Sequence, residues 1–462
     1  MAGVYPTSRR SRENDFIGKN RSSSFYYPAI MKTQSFGSAW LASASVMFVV
    51  GLTTGIAAAP EPVTDKQLCA KAADAWRASW ERFYDERTNL FYDRVCSYDP
   101  EKRLSSLPTP EEIGRQYPNR NGWGTGMEDC AISGGVMLSM ICDRFAATGD
   151  TALRKSAGKV FAGMVLLGTL SSSEGFVIRG VCPTDRRSHY CESSRDQFTW
   201  YAYGLWRYYR SPLSNAAEKA AMRKIIAAIC TRLERNVVAK NDYHLGREDG
   251  TFDGLVDKMW CVLAHEAARL PMIYAIGADL TGKDHWRDLA RRYSPEAAAQ
   301  SQGESTKTPY ALLQEQVSLE ALYQLEESSE LKRQWLDAMR SVAGRSSVFL
   351  AKCRGYQPQD VGKVNLDWRS WPMRSSAGYQ VPSAPDIVTK EDGTVRQPAE
   401  AALTRLLCPE ASLTADQLAL VKQNIAQVDY ANTVMYGLYY TQAVYWRAVR
   451  LGLIKLPASP KN

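Results

Sequence analysis

Apolar side chains return every three or four residues in twelve stretches of the chain. These lie at about 65–84, 127–148, 151–172, 195–210, 214–238, 255–279, 282–293, 308–327, 329–353, 397–408, 414–427 and 431–452, and the spacing predicts twelve helices. Thr64 and Gln67 have the spacing of a capping box, and Ser214 and Thr414 stand where N-caps belong. Strand patterning is sparse: only Gly175 to Gly180 reads as a short β segment. The helices are of two kinds. Phe198 to Tyr209, and Met435 to Tyr440 running on to Trp446, are apolar or aromatic nearly all round, which predicts burial on every side. The stretches 214–238 and 329–353 are amphipathic. In the second, Leu331, Trp335, Met339 and Val342 form one stripe, with Lys332, Arg333, Asp337 and Arg340 elsewhere.

The connections alternate as well. Turns at Gly149-Asp150, Ser211 to Leu213 and Gly282 are tight, whereas 85–126, 173–194, 239–254, 294–307 and 354–396 are long. Inner and outer helices in alternation, with long loops on one side only, predict an all-α fold: six helical hairpins closed into an (α/α)6 toroid. The long loops should gather on one face, above the N-terminal ends of the inner helices, where ordered loops commonly carry function. A solenoid of hairpins is the alternative, but no period near 34 residues is present. No low-complexity linker divides residues 60–462, which read as a single domain.

Residues 1–59 read differently. From Met31 a short positive start (Lys32) precedes an apolar stretch from Ala39 to Leu52 and a small-residue site at Ala57 to Ala59, the layout of a secretory signal peptide. Met31 is the expected start of translation. The mature chain is expected to be exported, periplasmic or extracellular, with no stable membrane anchor after cleavage. Six basic residues (Arg9, Arg10, Arg12, Lys19, Arg21, Lys32) and two acidic ones (Glu13, Asp15) fall in that segment, which halves the formal charge of +8. No Lys/Arg cluster remains, so nucleic acid is excluded as a partner. An oxidising compartment permits disulfides, and Cys182 and Cys191 share one loop and are expected to be close enough to bridge it. Cys130, Cys142, Cys230 and Cys261 are expected as buried thiols. Oligomeric state is left open.

Several chemistries are absent. There is no G-x-S-x-G elbow, no C-x-x-C pair, and His265-Glu266 lacks the second histidine of a zinc-peptidase helix. Gly122, Gly124 and Gly126 follow no strand, so a dinucleotide fingerprint is excluded, and nothing points to a metal or any other cofactor. Those glycines instead bring backbone close to something at the start of the second helix, where Glu128 and Asp129 stand in the first turn. Successive helical residues point about 100° apart, so one of the two should face a cavity. Asp196 takes the same position on the next inner helix, between Arg195 and Gln197 and ahead of an aromatic wall from Phe198 that should favour its protonated form. Both acids could equally be complementing helix dipoles. Trp123, His189 and His244 lie in the long loops, and Arg369 with Trp371 offers a cation and an indole suited to sugar acids and sugar faces, or to plain packing.

Alternating hairpins with acids at the mouths of inner helices make the chain resemble the six-hairpin glycosidase superfamily. Within it the chain is similar to unsaturated glucuronyl hydrolases, unsaturated rhamnogalacturonyl hydrolases and related glucuronidases. In unsaturated glucuronyl hydrolases two aspartates from successive inner-helix regions do the chemistry, and Asp129 and Asp196 match that arrangement. The resemblance implies a secreted glycoside hydrolase acting on uronic-acid-containing oligosaccharides. Asp196 would protonate, Asp129 (or Glu128) would be the partner carboxylate, and Trp123, Arg195, Gln197, His189, His244, Arg369 and Trp371 would hold substrate. One competing class is a polysaccharide lyase with a base from His189-Tyr190 or Tyr243-His244. Another is a noncatalytic carbohydrate-binding toroid. A sugar epimerase fits least, since related helical-barrel epimerases use paired histidines and this chain has four His in all.

Overall fold

A computed structural model of the chain describes residues 63–457 except 307, 359, 377, 411 and 412. The expected signal segment lies outside the described residues. Twelve long helices form, each close to a predicted stretch. They are α1 (Asp65–Ala78), α2 (Cys130–Thr148), α3 (Leu153–Thr169), α4 (Arg195–Arg210), α5 (Ala216–Asn236) and α6 (Arg269–Thr281), followed by α7 (Asp284–Gln300), α8 (Pro309–Leu325), α9 (Ser329–Ser346), α10 (Gln397–Leu407), α11 (Ala415–Gln427) and α12 (Gly437–Arg450). Capping boxes start α1 at Thr64, α5 at Asn215 and α11 at Thr414. Asn215, not Ser214, caps α5, because the Ser214 hydroxyl is turned back onto the Ser211 carbonyl.

The even-numbered helices pack side by side in a closed ring, α2 on α4, α4 on α6, α6 on α8, α8 on α10, α10 on α12 and α12 back on α2. The odd-numbered helices lie outside them: α1 on α12, α3 on α2, α5 on α4 and α6, α7 on α6, α9 on α8 and α10, α11 on α10 and α12. This is the expected (α/α)6 toroid. It follows from the patterning: α2 is buried over most of its length, and α9 buries only its Trp335–Met339–Val342 stripe with flanking small residues. α2 is long and apolar enough to cross a membrane, but its apolar surface is covered by its neighbours.

Two inner helices meet backbone to backbone. A Cβ added at Gly135 of α2 would stand 2.2 Å from the Trp200 carbonyl oxygen, and one at Gly204 of α4 would stand 2.5 Å from the Gly135 Cα. The C-terminal end of the lumen is filled with ions. Asp143 accepts from Arg207 (2.6 Å) and Arg450 (2.6 Å), and Arg447 reaches both Asp143 (3.4 Å) and Glu320 (2.6 Å). Burial opposes charge on Asp143, but the three arginines outweigh it and hold the carboxyl far below its ordinary range. The void beside this cluster, about 10 Å³, is no larger than a single water.

Four expectations are corrected. α6 begins at Arg269 and not near 255, because backbone groups in 255–260 are committed elsewhere: Leu255 N donates to Glu192, Met259 N to the Tyr243 carbonyl, and Lys258 bridges His244. Cys261 consequently lies on an exposed loop rather than inside a helix. Residues 175–180 form no strand; Phe176, Val177 and Ile178 are buried along an irregular path. The strands that do form are two antiparallel hairpins, β1 (Tyr84–Asp85) with β2 (Leu90–Phe91), and β3 (Met373–Ser376) with β4 (Tyr379–Pro382). All ten cysteines are free thiols, so Cys182 and Cys191 do not bridge; the Cys182 thiol instead donates to the Pro108 carbonyl.

Candidate active site

The N-terminal ends of five inner helices are joined by side-chain contacts into one mouth. Gln197 in the first turn of α4 donates to Asp129, just ahead of α2 (2.8 Å). Asp196 pairs with Arg269 at the start of α6. The Tyr436 hydroxyl, just ahead of α12, donates to Asp129 (3.1 Å), and Arg396, ahead of α10, lies 4.7 Å over the Tyr436 ring. The long loops gather on this face: Arg94 bridges Met435, Arg195 N donates to the Val256 carbonyl, and Glu192 N to the Arg120 carbonyl.

Asp129 is held by three donors. Its Oδ1 accepts from Gln197 and from Arg179 Nη2 (3.3 Å), its Oδ2 from Tyr436, and its side chain is 19 % exposed. Asp196 is 28 % exposed and stands in an arginine corner. Burial does push its carboxyl up, as the aromatic wall suggested, but Arg269, Arg195 and Arg179 outweigh burial and hold it below the ordinary range. The expectation that Asp196 favours its protonated form is therefore corrected: buried Phe198 and its neighbours are present, but charge decides. Arg179 bears on both acids, which ties the two together.

Glu128 is turned away from Asp129. Its carboxylate accepts from Gly124 N (3.0 Å) and Gly126 N (2.8 Å), clamping the glycine loop ahead of α2. The glycines are required there by close approach: φ is positive at Gly122 and Gly124, and a Cβ would strike the Tyr190 ring at the first and Pro382 of β4 at the second. Burial, and then Asp129, push Glu128 up, against Arg94 and the two backbone donors. Behind it, fully buried Asp93 is pushed well up by burial, Asp129 and Glu128.

The other predicted residues divide. Gln197 contacts an acid directly, Arg195 pairs with Glu266 beside Asp196, and half-buried Trp123 meets Tyr379 edge-on at 5.8 Å under the β3–β4 hairpin. His189 is bound to Glu248 (2.8 Å) and His244 to Asp257. Arg369 is tied to Glu112 (2.6 Å) and Asp367, and Trp371 lies buried under Arg94, 4.4 Å away. Among the described residues, none of these last four hydrogen-bonds to Asp129 or Asp196. The mouth also holds residues that sequence reasoning missed: Asp93, Arg179, Arg269, Glu266, Arg396, Tyr436 and His265, whose imidazole burial pushes down to about 4. Among the described residues no group of three or more His, Cys, Asp or Glu side chains is arranged to hold a metal ion.

No protein-family profile matches the chain, and no curated protein sequence matches it. Solved structures are similar to it over most of its length. The chain is similar to a sugar epimerase from a ruminal bacterium (10% identity, 84% of this chain and 99% of that one, TM-score 0.48). It is similar to an unsaturated glucuronyl hydrolase specific for heparin (10% identity, 84% and 98%, TM-score 0.45). It is also similar to an inactive α-1,6-mannanase variant from a Salegentibacter species bound to α-1,6-mannotriose (11% identity, 72% and 99%, TM-score 0.32). The closed double ring, with its mouth at the N-terminal ends of the inner helices, gives the chain the (α/α)6 toroid fold that the alternation of its helices and loops predicted.

Proposed function

We propose that the chain is an exported glycoside hydrolase of uronic-acid-containing oligosaccharides, with its active centre between Asp129 and Asp196. The observation that carries this reading is the pairing of the two acids. They stand partly exposed at adjacent inner-helix N-termini, where Gln197 and Arg179 hold Asp129, and Arg269, Arg195 and Arg179 surround Asp196 with positive charge. Their roles follow from their surroundings. Asp196, held ionised by Arg269, Arg195 and Arg179, is the base that takes a proton from water. The proton for the departing glycosidic oxygen comes from the Asp129 carboxyl, which Gln197 and the Tyr436 hydroxyl orient. Water adds across the cleaved bond, so each product pair gains one water in mass. Trp123 and Arg195 flank the approach, and fully buried Gln197 orients Asp129.

The test is incubation with a panel of saturated and unsaturated uronic-acid oligosaccharides and mass analysis of the products. Products heavier than substrate by one water are expected. For an unsaturated substrate, loss of its ultraviolet chromophore accompanies the reaction. Cleavage without water uptake would replace this reading with the lyase, and binding without turnover would replace it with the noncatalytic toroid.

A further inference from the structure

Asp129 is the N-cap residue of α2, yet its side chain makes no capping hydrogen bond. An aspartate in that position ordinarily spends its carboxylate on the free backbone donors of the first turn. Here others satisfy donors at this helix start: the Ala131 N–H donates to the Arg179 carbonyl (3.2 Å), and the Asp129 N–H donates to Asp93 Oδ2 (2.9 Å). Asp93 is fixed to do so from both sides, its N–H on the Gly126 carbonyl (3.0 Å) and its carbonyl under the Tyr436 N–H (3.0 Å). Its second oxygen, Oδ1, is buried and has no hydrogen-bond partner.

We propose that Asp93 is a positioning residue of this site: it holds the Asp129 backbone N–H, fixing where the Asp129 carboxyl stands while the Arg179 carbonyl serves the first-turn donor, and it keeps a proton on its own buried Oδ1. The proposal rests on the reading of Asp129 as a reacting group. A buried carboxylate oxygen with no donor is costly, and protonation removes the charge that makes it so. The groups facing Asp93 agree. From α2 and its approach come Asp129, Glu128 and the Cys130 thiol; from α12 and its approach come the hydroxyls of Tyr436, Tyr439 and Tyr440. The two cations are engaged elsewhere, Arg179 with Asp129 and Arg94 with the Gly124 carbonyl (2.8 Å). Burial, then Asp129 and Glu128, push Asp93 well above the carboxylate range.

Asp93→Asn preserves an acceptor for the Asp129 N–H and puts an amide where the protonated oxygen stood; Asp93→Ala removes that acceptor. The decisive experiment is a carbon-13 titration of aspartate carboxyls in the full chain. Wild type should show one aspartate still protonated at a pH where ordinary carboxyls are ionised, and Asp93→Asn should lack that resonance. Its absence from wild type, or its persistence in Asp93→Asn, overturns the proposal. In urea at pH 7.5, Asp93→Asn should unfold at or above the wild-type midpoint, because a raised folded-state pKa costs stability once pH exceeds the unfolded value. A lower midpoint also overturns it. If the glycan panel yields a substrate, Asp93→Asn should keep turnover within about threefold, whereas Asp93→Ala, folded, should lose at least about tenfold from a displaced acid. If wild type turns over nothing, the glycosidase reading fails while the titration still decides Asp93.

Discussion

The geometry of the mouth depends on a backbone crossing well below it, where Gly135 of α2 meets Gly204 of α4. An alanine Cβ at Gly204 would begin 2.5 Å from the Gly135 Cα, and one at Gly135 would begin 2.2 Å from the Trp200 carbonyl oxygen. Carbon contacts relax at about 3.5–4.0 Å, so either substitution must part the two helices by roughly 1 Å or more. Neither neighbour is a flexible side chain that can swing away. Overpacking of this kind costs about 1–3 kcal/mol, against about 0.8–1 kcal/mol of helix propensity gained on replacing glycine. Gly204 lies only about 12 Å down the axis from Asp196. A shift of that size carried to the helix ends would stretch the 2.8 Å Gln197–Asp129 bond beyond hydrogen-bond range. Gly344 on outer helix α9 is the control: it is helical and nothing lies within 4 Å of its added Cβ. Urea unfolding of the three variants should show Gly135→Ala and Gly204→Ala destabilised by up to about 2 kcal/mol net, and Gly344→Ala stabilised by about 0.4–1 kcal/mol. If the two crossing variants were as stable as Gly344→Ala, the claim that this contact sets the helix spacing would be wrong.

Asp143→Asn should cost about 3–5 kcal/mol in denaturant melts, because it leaves Arg207 and Arg447 buried with weakened partners. Since the Asp143 carboxyl is held low in the fold, its stabilisation is present above the unfolded value near pH 4 and is lost as pH falls toward the folded value. The difference between wild type and Asp143→Asn should therefore shrink on acidification; a gap independent of pH would contradict the ion cluster. Arg269→Gln removes the cation paired with Asp196, so the acid limb of the rate profile should move to higher pH. An unmoved limb would take Asp196 out of the base role.

The twelve helices were legible because their inner faces are apolar over whole turns, and the toroid was legible because loop lengths alternate with helix character. The site was legible only where that frame was right. Placing Asp196 in the first turn of an inner helix is the same rule that finds Arg269 at the start of α6 and Arg396 and Tyr436 just ahead of α10 and α12. Arg269 was hidden because the run from Leu255 to Leu270 mimics helical spacing while its backbone serves loop contacts. Asp93 and Arg179 lie in loops whose partners are distant in sequence, so no local pattern announces them. The electrostatics were less legible still. Sequence shows the aromatic wall behind Asp196, but the arginines that outweigh it arrive from three separate elements. Arg369, Trp371, His189 and His244 have the composition of sugar ligands, and each closes a loop contact.

The central claim is that Asp129 and Asp196 together perform the chemistry, and turnover of one uronic-acid oligosaccharide by wild type, Asp129→Asn and Asp196→Asn tests it most directly. Both variants should remain folded and bind the substrate, while each loses about 10²–10⁴ in turnover, the usual contribution of a positioned acid or base. Near-normal turnover by either folded variant would contradict the account, and retention by both alongside failure of a Tyr243 or His244 variant would give the site to lyase chemistry.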